Sequence, residues 1–122
     1  MDILEILKKS IIEELTGAES EYKLARYKNA IILYSKAIFS LCDYIIALKK
    51  LKLPKDHSER FRILERHMPE LYSIVDKLFK KYTDTYLKPT DIESCDGMKN
   101  AIKEINRIEK LDGEIKAIIE KI

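Results

Sequence analysis

The stretch AIILYSKAIFSLCDYIIALKK, residues 30–50, decides the fold. Apolar side chains fill most positions. Lys36, Ser40 and Asp43, spaced four and three apart, fall on one narrow polar stripe of a helix. A helix with so thin a wet face must be covered on nearly all sides, at the centre of a bundle or in a dimer interface. Its length would also cross a bilayer, but Lys36 and Asp43 would each cost about 2.5–3.5 kcal/mol at mid-membrane on insertion scales. The segment therefore reads as a buried core helix.

Outward from this helix, the same periodicity continues. Residues 2–15 place Ile3, Ile6, Leu7, Ile11 and Leu15 at helical spacing. Thr16-Gly17 either interrupts that helix or is crossed by it on the way to Arg26. RYKN, residues 26–29, reads as a short turn, with Asn29 placed to cap the central helix. On the other side LKLPKD, residues 51–56, reads as a loop, because Pro54 biases Leu53 away from helix. Asp56 followed by Glu59 resembles a capping box and predicts a helix over 57–67. Pro69 suits the first turn of the next helix, carried to about Tyr86 by Leu71, Ile74, Val75, Leu78, Phe79 and Tyr82. Thr90-Asp91-Ile92-Glu93 starts a last helix running to about Lys121. Gly97 and Gly113 weaken its continuity. No strand pattern occurs. The expected fold is all-α, an antiparallel up-and-down bundle of four to five helices in one domain over residues 1–122.

Composition narrows the function classes. Of 122 residues, 46% are hydrophobic and 36% charged, which fits a folded chain and excludes a disordered one. Cys42 and Cys95 are far apart and form no CxxC, so they read as buried thiols of a reducing compartment and not as a zinc site or disulfide framework. MDILEILKKS has acids where a secretory signal has its positive region, so a cytoplasmic location is expected. Glutamine is absent while Ile, Lys and Glu abound, as in heat-adapted proteins. The net charge is +2, but residues 49–88 carry eleven Lys or Arg against six Asp or Glu, a local +5 that leaves −3 elsewhere. A basic middle is compatible with an anionic partner or with a solvated face of mixed charge. Arg66, Lys80 and Lys81 are its candidate phosphate contacts. Lys36, Ser40 and Asp43 are the candidate interface residues.

No metal or cofactor is expected. A di-iron bundle needs Glu-x-x-His pairs, and Glu65 precedes His67 by only two positions. The three glycines form no phosphate loop. LARYKNAIILYSKAI, residues 24–38, looks like one tetratricopeptide helix–turn–helix, but SERFRILERHMPELY, residues 58–72, does not repeat it. That leaves KDHSERFRILERHMPEL, residues 55–71, which holds both histidines and three arginines. Arg62 and His67 are spaced R-x4-H; Arg60 and His67 are spaced R-x6-H. Seven residues turn about 700°, so Arg60 and His67 share a helix face two turns apart, whereas Arg62 and His67 differ by about 140°. Metal-independent RNA cleavage needs a base near the 2′-hydroxyl and a cation at the phosphate, roles His and Arg can fill. The competing reading is a solvated, capped helix with His67 at its C-terminal end.

The order of parts resembles the HEPN domain (higher eukaryotes and prokaryotes nucleotide-binding) of the small stand-alone bacterial and archaeal type. The resemblance lies in LARYKNAIILYSKAIFSLCDYIIAL, LPKDHSERFRIL and KYTDTY, where Lys81, Asp84 and Tyr86 loosely match a segment of members that do not look catalytic. It implies a helical bundle, usually dimeric, partnered by a nucleotidyltransferase in toxin–antitoxin-like pairs or acting on RNA. Active members are metal-independent RNases with R-x4-6-H, which would make Arg60, Arg62 and His67 the catalytic candidates. Phe61 and Ile63 stand where active members carry a polar residue after the arginine, so the expectation is a homodimeric binding module. The alternatives are the endoribonuclease and a tetratricopeptide-like scaffold.

Overall fold

The computed structural model describes residues 2–84 and 90–122, with backbone alone for 81–84. It is all-α over those residues: α1 (Ile3–Lys23), α2 (Tyr27–Leu48), α3 (His57–His67), α4 (Pro69–Asp84), α5 (Ile92–Glu109) and α6 (Gly113–Lys121). α1 and α2 form a long antiparallel pair. The pairing of Tyr34 with Glu19 and of Ser40 with Glu14 gives its register. α2 also packs against α4 and α5, α3 lies along α4, and α6 touches α1 and α5.

The central placement of α2 follows from its composition. Ten of its residues are buried, among them Tyr34, Ile38, Leu41, Cys42 and Ile45. They meet Ile11 and Leu15 of α1, Leu71 and Val75 of α4, and Met98, Ile102 and Ile105 of α5 in one core. α2 is long and apolar enough to cross a membrane, and 56% of its most apolar window is buried in the bundle. Ser35 is the polar residue of the buried face, with its hydroxyl 4.0 Å from Met98 Sδ.

Three boundaries differ from the sequence reading. α1 runs unbroken through Thr16-Gly17 and ends at Lys23, short of the expected Arg26. Ala25 takes a left-handed conformation (φ 60°), Arg26 N–H donates to Glu21 O at 2.9 Å and Ala25 N–H to Tyr22 O at 3.0 Å. This closure satisfies the last carbonyls of α1. α2 then starts at Tyr27, with Arg26 as an N-cap that makes no side-chain bond and Asn29 in the first turn. The same closure ends α2: Lys50 is left-handed, and Leu51 and Lys50 donate to Ile46 and Ala47. Neither site has the glycine that usually signals it, so the turn is misplaced from sequence. The last predicted helix is two. Lys110 turns left-handed, Leu111 folds into the core, and α6 restarts at Gly113 (φ 63°). The count is therefore six helices, not four or five, among the described residues. Caps account for other starts: Asp56 accepts from Glu59 N–H at 2.8 Å, and Asp91, one residue after the predicted Thr90, accepts from Ser94 N–H at 2.9 Å.

Candidate Arg–His site on the third helix

The Asp56 cap fixes His57 as the first helical residue of α3, and Arg60 lies one turn on, facing α2. There Arg60 meets Asp43 in a bidentate pair, Nε to Oδ1 at 2.7 Å and Nη2 to Oδ2 at 2.9 Å. The side chains are 12% and 18% exposed, so the pair is largely withdrawn from water. Arg60 Nη1 is 2.6 Å from His57 Nδ1, and its guanidinium carbon lies 5.3 Å from the centre of the Phe39 ring. Phe39 in turn packs against His57 with the rings tilted at 56° and their centres 4.6 Å apart, and Phe61 and Phe79 close the cluster at 5.1 Å from one another.

This arrangement sets the protonation states. The guanidinium is donor only, so His57 Nδ1 must accept, which puts the ring proton on Nε2. Burial lowers the proton affinity of His57, the Arg60 charge lowers it further, and Asp43 and Asp56 act in the opposite sense. For Arg60, burial opposes the charge, but the hydrogen bonds and charge of Asp43 outweigh it and raise its pKa.

The predicted site residues are distributed as follows. Arg62 and Arg66 are exposed on α3, and Lys80 is exposed on α4. The side chain of Lys81, with those of Asp84 and Tyr86 in KYTDTY, lies outside the described residues. His67 is the last residue of α3 and exposed. The rise of an α-helix puts it about 10 Å along the axis from Arg60, so one chain does not bring the two together. His67 borders a shallow cleft of about 210 Å³ with Lys49, Met68, Glu70 and Glu109. Lys49 and Glu109 are 3.8 Å apart there. Two carboxylates face one lysine there, which weakens the attraction of the cleft for a phosphate. Of the stripe on α2, Lys36 is exposed, while Ser40 donates to Glu14 at 2.7 Å and Asp43 holds Arg60.

Two groupings escape the linear reading. Asp43–Arg60–His57 could have been suspected, because an acid in an apolar helix needs a partner and His57 and Arg60 share a face at i, i+3. The second lies where α1, α2 and α5 meet. Tyr34 Oη donates to Glu19, Lys99 Nζ is 3.3 Å from Glu19 and 3.7 Å from the centre of the Tyr22 ring, and Tyr22 Oη donates to Asp96 at 2.7 Å. Its parts come from distant positions and no spacing announces it. The Asp96 bond and burial push the Tyr22 phenol up to about 12. Both thiols are buried and unpaired. Burial raises Cys42 far above the thiol range and Cys95 to about 11, so neither is poised as a nucleophile. No group of three or more His, Cys, Asp or Glu converges among the described residues. A groove of about 500 Å³ runs between α1 and α6, with Ile12, Leu15 and Ile118 along it and Glu19, Lys23 and Lys121 at its edges.

Set against protein-family models, curated proteins and solved structures, the chain finds no match in any of the three.

Proposed function

We propose that this chain is a HEPN-like helical binding module, homodimeric and cytoplasmic, which engages RNA or a nucleotidyltransferase partner without itself cutting RNA. The observation that carries the non-catalytic reading is the state of Arg60. Its charge is held by Asp43 in a bidentate, largely buried pair, and His67 sits two turns away beside Glu70 and Glu109. An arginine so engaged is a poor seat for a scissile phosphate, since the phosphate must first displace a carboxylate that already satisfies the guanidinium fork. The exposed Arg62, Arg66 and Lys80 are the phosphate contacts of this reading.

The test combines binding and cleavage. Labelled single-stranded RNA is titrated with protein in EDTA at several salt concentrations, beside Arg62→Ala/Arg66→Ala and His67→Ala variants. The expected result is intact RNA and salt-sensitive binding, with a log–log slope that falls by about 0.7 for each phosphate contact removed. Cleavage by the wild type that His67→Ala abolishes would overturn the reading in favour of the nuclease. Absence of binding at low salt would remove the RNA half and leave the protein partner, and a monomer at micromolar concentration by light scattering would remove the dimer.

A further inference from the structure

The first turn of α3 is held to α2 through a small set of side chains. His57 lies at the start of the helix, where the dipole disfavours added positive charge. Its Nδ1 is 2.6 Å from Arg60 Nη1 and its ring rests on Phe39. Arg60 is not free to retreat, because Asp43 grips it through two bonds. The charged groups facing the ring among the described residues are Asp43 from α2, Arg60 from α3 and Asp56 from the cap, and α4 presents the Phe79 ring.

We propose that His57 is a proton-operated latch: neutral, it accepts from Arg60 and closes the first turn of α3 over Phe39; protonated, it lets that turn open while Asp43–Arg60 holds the rest of the helix. The separation leaves no place for a second proton, since a protonated Nδ1 would point one N–H at another across 2.6 Å. Asp43 has both oxygens on Arg60 and Asp56 has Oδ1 on the Glu59 amide, so a protonated ring must turn away from Arg60 to find a partner. The lowered proton affinity of His57 agrees with this. Opening uncovers the Phe39 flank of α2, so acid would present an aromatic surface that neutral pH conceals.

The test is amide hydrogen exchange by NMR at pH 7.5 and 5.5, corrected for intrinsic rates, on the wild type, His57→Asn and His67→Asn. The reporters are the amides of Glu59 and Arg60, bonded to Asp56 Oδ1 and Asp56 O. Both pH values lie above the ordinary carboxylate range. If His57 titrates near its ordinary 6.5 in the open turn and stays neutral in the closed one, opening gains about tenfold at pH 5.5. Protection of the two amides should therefore fall by up to about tenfold in the wild type and in His67→Asn, and should not change with pH in His57→Asn. Equal protection at the two pH values in the wild type, or the same acid loss in His57→Asn, would overturn the latch. So would a ring ¹⁵N spectrum at pH 7.5 that places the proton on Nδ1.

Discussion

Removing Asp43 tests whether the Asp43–Arg60 pair holds α3 against the bundle. Exposed ion pairs contribute about 0–1 kcal/mol, whereas breaking a fully buried one costs about 3–5 kcal/mol, because a charge is left without its partner. With side chains 12% and 18% exposed, this pair stands nearer the buried limit. The Arg60 stem can still swing its head toward water, which lowers the cost. Asp43→Ala should therefore destabilise by about 2 kcal/mol, and Arg60→Met by a similar amount, since Asp43 is then the orphan. The double variant carries no orphan and should cost about 2.5 kcal/mol, which gives a coupling near 1.5 kcal/mol. Urea unfolding at pH 7 followed by circular dichroism reads all three, and thermal midpoints should fall by roughly 4 °C per kcal/mol. Arg107–Glu104 on α5 is the internal control. Its side chains are 70% and 44% exposed, so Glu104→Ala should leave the urea midpoint almost unchanged. The reasoning fails if the two single variants each cost no more than that control and simply add.

Two further expectations concern backbone and pH. Ala25 and Lys50 hold left-handed conformations at the ends of α1 and α2, which costs a residue with a Cβ about 1 kcal/mol, so Ala25→Gly and Lys50→Gly should each stabilise by about 0.5–1 kcal/mol in urea titrations. Gly113→Ala at φ 63° should lose about 1 kcal/mol, and a gain there would count against the left-handed start of α6. Burial raises the pKa of Glu14, against the Ser40 hydrogen bond and the Lys36 charge that lower it, with Glu13 adding to the rise. A raised carboxyl stabilises the fold below its ordinary 4.5 and loses that contribution as pH climbs through the folded value. Glu14→Gln keeps an acceptor for Ser40, so its urea midpoint should exceed the wild type at pH 7, with the gap closing below pH 4.5. A gap that ignores pH would show that burial of the charge is not the cause.

Much of the fold is legible because it rests on periodicity and caps. The apolar run of α2, the Asp56 cap, Pro69 at the first position of α4 and the buried series Cys95, Met98, Ile102 and Ile105 are all local patterns, and the structure places each as the pattern implies. What stays hidden depends on backbone strain or on chain parts distant in sequence. Ala25 and Lys110 take left-handed turns with no glycine to mark them, so α2 starts early and the last helix divides. Ile3, Ile6 and Ile92 fit apolar stripes yet are 44%, 45% and 44% exposed, since periodicity names a face and not what covers it. KYTDTY lies largely beyond the described residues, so its likeness to the HEPN segment rests on sequence alone.

The candidate site is less legible for a related reason. Spacing along one helix relates Arg60 to His67, but the partner that decides the chemistry of Arg60 comes from α2, 17 residues earlier. A guanidinium facing solvent and one clasped by a carboxylate are the same letter in a sequence and different reagents in a fold. The first meets a phosphate with its donors open. The second yields only to a ligand that exceeds a bidentate carboxylate in a partly desolvated setting. Any anion that reaches Arg60 must therefore either displace Asp43, and with it the contact that steadies His57, or use only the guanidinium donors that Asp43 and His57 leave over. Arg62, Arg66 and Lys80 impose no such exchange, which is why the binding reading assigns the phosphate to them and assigns Arg60 to the architecture of α3.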